Sequence, residues 1–222
     1  MSLKKGDFIK LDYTGKVLEE NIIFDSTKED IGKKENLNKK NYEPVTIIIG
    51  EGQVIKGLDE SLVDKEIGKE YSINIIPEKA FGKKNTKLIQ LISLSKFKRE
   101  NIKPIPGLQV QIDNQTGIVK AVTGGRVMVD FNHPLSGKEV NYTFKILEKI
   151  ENDKEKIKGY FSTTFGIKEL NVNQTEKGFE IETINPLPDI IKNEFEKKLK
   201  QIISDKYEFN FSSKNDKKDA KE

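Results

Sequence analysis

Short runs of alternating apolar residues, broken by glycine and by loops rich in Lys and Asn, restrict what this chain can fold into. Three of these runs lie near the N-terminus: DFIKLDYTG at 7–15, PVTIIIG at 44–50 and YSINIIP at 71–77. Alternation with a period of two residues is typical of half-buried β-strands. Between the second and third runs, Leu58, Leu62 and Ile67 recur near helical spacing, and Gly68 favours a helix end there. The pattern over residues 1–84 predicts a small α+β unit.

The pattern changes near residue 85. We expect strands at KLIQLISLS (87–95) and GLQVQID (107–113), and between them a single-turn helix in SKFKRENI capped by Ser95. The stretch TGIVKAVTGGRVMVDF predicts a hairpin that turns at Gly124-Gly125. Residues 85–131 therefore form a second, β-rich unit. The long strand predicted in GKEVNYTFKILEKI returns the chain to the first sheet, so that residues 132–152 complete the first unit.

Residues 153–222 predict a third, α+β unit with the order β-β-β-α-β. For three of the four strands in this order, alternation is visible: in YFSTTFG at 160–166, in GFEIETI at 178–184 and in YEFNF at 207–211. Before the last of these, Pro188 suits a helix start. An apolar stripe follows it at helical spacing, formed by Ile191, Phe195, Leu199 and Ile202. The final stretch SSKNDKKDAKE, residues 212–222, predicts a frayed tail.

The residue types that are absent or rare exclude several kinds of chemistry. The 222 residues include no Cys and one His, which excludes disulfides, thiolate nucleophiles and Cys-ligated metal sites. We therefore expect no metal and no cofactor. No stretch approaches the roughly 18 apolar residues of a membrane span, and the N-terminus enters a strand without the apolar core of a signal peptide. The expected location is the cytoplasm, with no membrane contact.

Positive charge is concentrated in the middle of the chain. The net charge is only +3, but residues 85–131 contain seven Lys or Arg against three acidic residues. This excess raises the hypothesis of an RNA-associated module. Only Phe97 and Phe131 supply aromatic rings in that segment. Because single-stranded nucleic acid is bound by basic grooves with several interleaved aromatics, the sequence disfavours nucleic acid as a partner.

The stretch IIIGEGQVIKGLDESL at 47–62 has the glycine spacing of a phosphate-binding loop but not its chemistry. Leu58 and Asp59 stand where a P-loop needs Lys and Ser or Thr. A dinucleotide loop fails as well, because the bulky Val54 and Ile55 occupy the place where small residues admit a pyrophosphate. The remaining interpretation is a turn between a strand and a short helix, in which these apolar side chains need a separate explanation.

Three separated motifs resemble the FKBP-type peptidyl-prolyl isomerases. They are TGKVLEENIIFDST at 14–27, GEGQVIKGLDESLVDKEIGKEYSINIIPEKAFG at 50–82, and NHPLSGKEVNYTF at 132–144, and they occur in the family's order and spacing. The last is similar to the segment that leaves the inserted domain in the long, SlyD-like branch. The resemblance covers residues 3 to about 150 and implies an antiparallel half-barrel sheet around a short helix, with an inserted domain at 85–131. Long archaeal members of this kind carry a further C-terminal domain, which residues 153–222 would be.

By itself, His133 could be a general base, a metal ligand or a polar corner of the chain. The resemblance places Asn132, His133 and Pro134 at the junction where the chain leaves the insert. We therefore interpret His133 as a structural polar residue at a hinge rather than as a substrate contact.

The activity implied by the resemblance is rotation about the peptide bond before proline. That bond has a barrier of about 18–20 kcal/mol because of amide resonance. An apolar, water-poor pocket favours the twisted, less dipolar amide over the planar one, so no nucleophile or metal is required. The implied catalytic residues are Tyr13, Asp25, Phe81 and Tyr142, and the implied substrate-binding residues of the pocket are Phe24, Val45, Val54, Ile55 and Leu58. In family terms the Ile55 N–H would hold a substrate carbonyl and Tyr13 would orient Asp25. Asp25 follows an apolar stretch, where an unpaired carboxylate is costly, so we expect it to be hydrogen-bonded.

Three departures from the family pattern qualify these expectations. Leu58 stands where a large indole forms the pocket floor in well-known single-domain members, and Phe81 replaces a tyrosine and its hydroxyl donor. The His-rich, metal-binding tail of the bacterial relatives is absent, in agreement with the expectation of no metal.

The insert is expected to bind unfolded, proline-containing polypeptide clients. Leu88, Ile89, Leu91, Ile92, Leu94 and Phe97 are many apolar residues for a short unit, so they predict an exposed patch in which Leu91, Leu94 and Phe97 contact clients. An ordinary β-core is the alternative. Clients held there would present prolyl bonds to the pocket at high effective concentration.

The leading hypothesis is therefore a prolyl isomerase with chaperone activity. The alternative is a non-catalytic holdase chaperone whose pocket is vestigial because of Leu58 and Phe81. For the C-terminal unit the sequence leaves two roles open, homodimer formation and extension of the client surface.

Overall fold

The computed structural model describes residues 2–39 and 41–214, which form three sheets. The first sheet contains β1 (Phe8–Val17), β2 (Ile23–Ser26), β3 (Val45–Ile48), β4 (Glu70–Ile75) and β9 (Val140–Lys149). Its order is β2-β1-β9-β4, β3 also pairs with β1, and all pairs are antiparallel. The short helices α1 (Glu29–Lys34) and α2 (Lys56–Ser61) belong to the same part of the chain. The predicted α+β class and antiparallel half-barrel sheet are confirmed.

Helix α2 is shorter than the sequence pattern predicted. Leu58 and Leu62 are buried as expected, but the helix ends at Ser61, and Ile67 is exposed. Asp64 adopts a positive φ of 60°, which interrupts the helical path. Gly68 instead lies in the turn before β4, where its N–H donates to the Ile146 carbonyl at 2.7 Å.

The inserted sheet has the order β5-β8-β7-β6. Its strands are β5 (Ile89–Ser93), β6 (Gln109–Ile112), β7 (Gln115–Thr123) and β8 (Arg126–Asp130), and helix α3 (Leu94–Arg99) follows β5. The hairpin turns at Gly124 and Gly125 as predicted, with positive φ values of 56° and 73° that suit glycine. The predicted cap of α3 was wrong by two residues, because the Ser93 hydroxyl accepts from the Ser95 N–H.

The C-terminal sheet has the order β10-β11-β12. Its elements are α4 (Asp153–Phe165), β10 (Asn171–Gln174), β11 (Gly178–Thr183), α5 (Asp189–Ile202) and β12 (Glu208–Ser213). Strands β11 and β12 are parallel, so α5 is the crossover between them. Helix α5 follows Pro188 as predicted, with Phe195 and Leu199 buried.

The strand predicted at 160–166 was wrong, because this segment is the end of α4. The Asn152 side chain caps the helix by accepting from Lys154 N–H at 3.0 Å and Glu155 N–H at 3.3 Å. Gly166 ends it in a left-handed conformation. The observed order of this unit is therefore α-β-β-α-β.

The first two residues of the predicted frayed tail belong to a strand. Ser212 and Ser213 belong to β12, where Ser213 is opposite Thr183. The rest of the predicted tail, from residue 215 onwards, lies outside the described residues.

One hydrophobic cluster joins the first sheet to the C-terminal unit. Phe8, Ile48 and Ile150 pack in the same buried cluster as Ile157 and Phe161 of α4. The approach is close: a Cβ on Gly159 of α4 would lie 2.2 Å from Thr46 Cγ2 on β3. The three domains with borders near 85, 131 and 152 stay a proposal, since this cluster crosses the last border.

Over the part of the chain that the structure describes, no helix is both long and apolar enough to cross a membrane.

Candidate active site

A cleft of about 500 Å³ opens beside α2 on the first sheet. Its walls come from β1, β2, β9, the turn before α2 and the two segments that lead into and out of the insert. The lining residues are Tyr13, Phe24, Asp25, Lys39, Gln53, Val54, Ile55, Leu58, Phe81, His133, Leu135 and Tyr142.

Four aromatic rings form one wall of the cleft. The ring centroids of Tyr13 and Tyr142 lie 5.6 Å apart, and Phe24 meets Tyr142 at 5.9 Å and Phe81 at 5.6 Å, both edge to face. Gly15 makes room for them, because a Cβ there would lie 2.7 Å from Phe24 Cζ and 3.0 Å from Tyr142 Cζ. The wall is therefore apolar and fixed by packing.

Asp25 lies at the polar side of the cleft. Its Oδ2 accepts a hydrogen bond of 2.8 Å from the Tyr13 hydroxyl, which is the contact expected for an orienting tyrosine. Burial, followed by the negative charge and hydrogen bond of Asp25, raises the pKa of Tyr13 far above its usual value. Burial and then the charge of Asp25 also raise the pKa of Tyr142. Both phenols consequently stay protonated throughout the neutral range.

Sequence reasoning did not identify Lys39 as part of this site. Its ammonium forms an ion pair with Asp25 Oδ1 and donates to the Ser26 carbonyl at 3.1 Å. Lys39 lies between α1 and β3, in a Lys- and Asn-rich loop where no spacing or motif distinguishes it from its neighbours. The Asp25 carboxylate is thus held from both sides, by a phenol and by an ammonium.

The turn that failed the nucleotide test is one wall of the cleft. We call residues 49–55 the cleft loop. Asp59 is buried and holds this loop by accepting from Gly50 N–H at 2.7 Å and from Gly52 N–H at 3.0 Å. Gly50 and Gly52 have positive φ values of 90° and 67°, which such a tight turn requires.

The apolar side chains of this turn now have an explanation. Val54 and Ile55 line the cleft, and the side chain of Leu58 is buried beneath them. Ile55 is the N-cap residue of α2: its carbonyl accepts from Leu58 N–H and Asp59 N–H, both at 3.0 Å. Its own N–H has no partner in the helical ladder, as is usual at a helix N-terminus, and its expected bond to a substrate carbonyl stays a prediction.

His133 lies both at the junction where the chain leaves the insert and at the cleft. Its ring stacks on Phe81 at 4.9 Å with the planes nearly parallel, and its Nδ1 accepts from Leu135 N–H at 3.1 Å. Beside it, Asn132 exchanges hydrogen bonds of 2.8 and 3.0 Å with the backbone of Asn85, which joins the exit of the insert to its entrance. The sequence predicted the junction but not the position of His133 at the cleft.

One predicted pocket residue lies elsewhere. Val45 is half-buried on β3 and lines a separate depression between the first sheet and α4, so it does not line the cleft. The other eight pocket residues named from the sequence all line it.

The predicted client patch is only partly exposed. Leu91 is 58% exposed, but Leu94 is half-buried against the insert core and Phe97 is only 3% exposed within it. Helix α3 places Phe97 against the inner face of the sheet, among Val110, Val119, Val127 and Val129. The prediction that Phe97 contacts clients was wrong, since its ring forms the core of the insert.

Comparisons with known proteins agree with this geometry. The model of the FKBP-type peptidyl-prolyl cis-trans isomerase family matches residues 1–98, and the model of the FKBP26 IF domain matches residues 90–135. The short-type peptidyl-prolyl cis-trans isomerase of Methanocaldococcus jannaschii is 33% identical over 146 residues, which cover 65% of this chain and 92% of that protein. The SlyD isomerase of Helicobacter pylori is 37% identical over 120 residues, 52% of this chain and 64% of that protein. A probable 16 kDa FKBP-type isomerase of Pseudomonas fluorescens is 33% identical over 110 residues, 47% of this chain and 72% of that protein.

The fold, the cleft and these relatives define a peptidyl-prolyl cis-trans isomerase. The chain belongs to the FKBP-type family of these enzymes, and its relatives include SlyD proteins and an archaeal short-type isomerase. The recognition of this family from its three motifs is confirmed.

Proposed function

We propose that this isomerase rotates X-Pro bonds in the aromatic cleft, on polypeptide clients that bind to the inserted sheet. The observation that carries the catalytic part is the cleft itself, in which an apolar aromatic wall faces the Asp25 carboxylate held by Tyr13 and Lys39. The chaperone part is supported by the apolar outer face of the insert.

The cleft lowers the rotational barrier by binding the twisted amide better than the planar one. Rotation breaks the resonance that gives the planar amide its large dipole. The aromatic wall excludes water that would otherwise solvate this dipole in the ground state. The negative charge of Asp25 further disfavours the planar form, whose carbonyl oxygen carries the larger partial negative charge. The Ile55 N–H holds a neighbouring substrate carbonyl and so fixes the orientation of the bond that turns.

A peptide assay tests the catalytic assignment. We expect the full-length protein to accelerate cis-to-trans conversion of a short proline peptide, and Asp25→Ala to lose about ten-fold or more in kcat/KM. Asp64→Asn is the control, because it removes an exposed negative charge that does not line the cleft while Asn tolerates the positive φ of this position. Equal rates for Asp25→Ala and the wild type would contradict the assignment.

The client surface is the outer face of the inserted sheet. Core valines fill the inner face, whereas Leu91 lies opposite Met128, and Met128 opposite Ala121, on the other side. Leu91 and Met128 are 58% and 36% exposed, and Ile89 and Ile118 flank them. An open apolar face of this kind binds the apolar side chains of an unfolded chain.

The charge around this face favours clients with acidic side chains. Arg126 projects from the same face, while the acidic residues of the insert are partly engaged: Asp113 pairs with Lys96, and Asp130 accepts from Asn132. Binding of unfolded chains should therefore weaken as salt is added, because exposed charges are screened.

The second candidate function is that of a holdase chaperone, which would bind unfolded clients without catalysing rotation of their X-Pro bonds. The same peptide assay separates the two, because a holdase binds unfolded protein but leaves the peptide rate unchanged.

For the C-terminal unit, a homodimer is the partner that we propose. Ile190 at the start of α5 is 74% exposed, and Ile184 is also exposed beside a groove lined by Ile167, Pro186 and Leu187. Light scattering of the full-length protein tests this: a dimer mass is expected, and Ile190→Glu should reduce it to that of the monomer. A monomeric wild type would contradict this proposal.

A further inference from the structure

The C-terminal unit holds the cleft loop from outside the isomerase sheet. Thr164, in the last turn of α4, accepts a hydrogen bond of 2.8 Å from Gln53 Nε2. Lys198 of α5 forms an ion pair of 2.5 Å with Glu51. Two helices that follow the first unit in sequence therefore contact the loop that presents Val54 and Ile55 to the substrate.

The side chain of Gln53 is fixed at both ends of its amide. Its Oε1 accepts from Ile48 N–H at 2.7 Å, at the end of β3, while its Nε2 donates to Thr164. An amide that is bonded through both atoms has a single orientation. Because Gln53 directly precedes Val54 and itself lines the cleft, this orientation fixes the path of the chain into Ile55.

Within the first unit, Asp59 holds the first half of the loop, and the second half is held through Ile48 N–H on Gln53 and through the Ile55 carbonyl in α2. The bonds from Asp59 reach Gly50 and Gly52 but neither Val54 nor Ile55. Helix α4 is a rigid support for the second half, because Gly159 lies tightly against Thr46 and Phe161 is buried in the shared cluster. Of the side chains that hold this second half, Gln53 is the one that also bonds to α4.

We propose that Gln53 and Thr164 are positioning residues of the isomerase, through which the C-terminal unit sets the geometry of the substrate-binding N–H of Ile55. This inference rests on the proposed role of the cleft and gives the C-terminal unit a part in catalysis that dimerisation and client binding do not require.

The first test is Thr164→Val, which removes the acceptor without touching the cleft. We expect kcat/KM on a short proline peptide to fall about three- to ten-fold, as for one lost hydrogen bond, chiefly through a higher KM. Thr164 is exposed, so the melting temperature should change little. Thr164→Ser keeps the hydroxyl and should restore wild-type kinetics.

The matched control is Thr163→Val. Thr163 is the neighbouring threonine and also bonds across the interface, but to the carbonyl of Thr46 on β3 and not to the cleft loop. We expect this change to lower the melting temperature and leave KM unchanged. If Thr163→Val and Thr164→Val have the same kinetics, the loop contact has no specific role and the proposal is overturned.

A double substitution tests whether the two residues act together. In the Gln53→Leu background, Thr164→Val should have no further effect on KM, since the shared bond is already lost. Additive effects would contradict the proposal.

Nuclear magnetic resonance gives a readout that does not depend on activity. The backbone amide signal of Ile55 should shift in Thr164→Val and stay in place in Thr163→Val, and an unchanged Ile55 signal in both would overturn the inference. A wild type that fails to rotate peptides would instead contradict the proposed function, so the two failures are distinguishable.

Discussion

At the residue scale, the aromatic wall has room for its rings because position 15 is a glycine. Gly15 lies opposite Tyr142 on β9 and beneath the ring of Phe24, with no room for a Cβ. Gly15 has an ordinary extended conformation, so its backbone does not require glycine. The cleft requires glycine there because a larger residue would collide with the two rings.

Replacing Gly15 by Ala should displace both rings. We expect a loss of about 1–3 kcal/mol in the free energy of unfolding, as for other overpacked sites, together with a lower kcat/KM. Denaturant titration and the peptide assay measure the two effects. Adding Phe24→Leu should recover stability but not activity, because the clash is relieved while the wall stays incomplete. Full activity in Gly15→Ala would show that the rings have no defined role.

The raised pKa of Tyr13 predicts how the stability of the fold changes at alkaline pH. Its pKa is raised in the folded protein, so the folded state holds the proton more tightly than the unfolded state does. The stabilisation is therefore complete below the unfolded value of about 10 and is lost as the pH rises above it. Melting temperatures between pH 8 and 11 should fall less steeply for Tyr13→Phe than for the wild type, and parallel curves would contradict the assigned shift.

Some residues of the site were visible in the sequence and others were not. Asp25 and Ile55 follow from the resemblance, and the apolar turn at Val54 indicated that something unusual was present. Lys39 could not be found, because it lies in a loop where lysine is common and its contact with Asp25 is set by tertiary structure. The place of His133 at the cleft likewise depends on how the two crossings of the insert pack together.

At the element scale, the inserted sheet has two faces of different character. The inner face is a closed core under α3, and the outer face is open. Chain composition predicted excess apolar surface here, but only the strand register reveals which side chains contribute to it.

Substitutions on the outer face should separate client binding from peptide catalysis. We expect Leu91→Ser with Met128→Ser to slow the catalysed refolding of a proline-limited protein several-fold while the rate on a short peptide stays the same. Ile105→Ser is the control, because Ile105 is equally apolar and exposed but lies in the loop between α3 and β6. If the control reduces refolding to the same extent, the sheet face is not the client surface.

Helix α4 shows why one element was mistaken for another. Residues 160–166 alternate weakly, and a seven-residue window cannot distinguish that pattern from a buried helix turn. The longer window beginning at Asn152 contains a cap, acidic residues in the first turn and a glycine at the end, which together predict a helix. The strand prediction failed because it considered the segment without its caps.

At the scale of the whole molecule, the order of the sheets and the long return strand β9 followed from the sequence, but the packing of the C-terminal unit did not. The residues of the first unit that make this contact include Phe8, Ile48 and Ile150. In the sequence, each of them resembles any other apolar residue of a strand. A buried face shared between distant segments has no local pattern.

The connection between the first sheet and the insert should weaken in acid. Burial raises the pKa of Asp130, but the hydrogen bonds from Asn132 and the positive charges of Lys84 and Lys120 outweigh it, so the pKa lies below its usual value. A lowered pKa stabilises the folded state above the unfolded value of about 3.8, and this stabilisation is lost as the pH falls below it.

This acid effect can be assigned to one carboxylate. Asp130→Asn should be less stable than the wild type at pH 7, and the difference should shrink as the pH falls towards 3. Thermal melting over this range measures both curves, and a constant difference would contradict the role of the Asp130 charge.

The cluster shared by β1 and the C-terminal unit has a consequence for synthesis of the protein. Phe8 leaves the ribosome about 200 residues before Phe209 of the same cluster (209 − 8 = 201). Until β12 emerges, a nascent chain exposes the apolar residues of its catalytic sheet that this cluster buries, Phe8 and Ile48 among them. The enzyme is thus, during its own translation, the kind of unfinished polypeptide that a folding helper would bind.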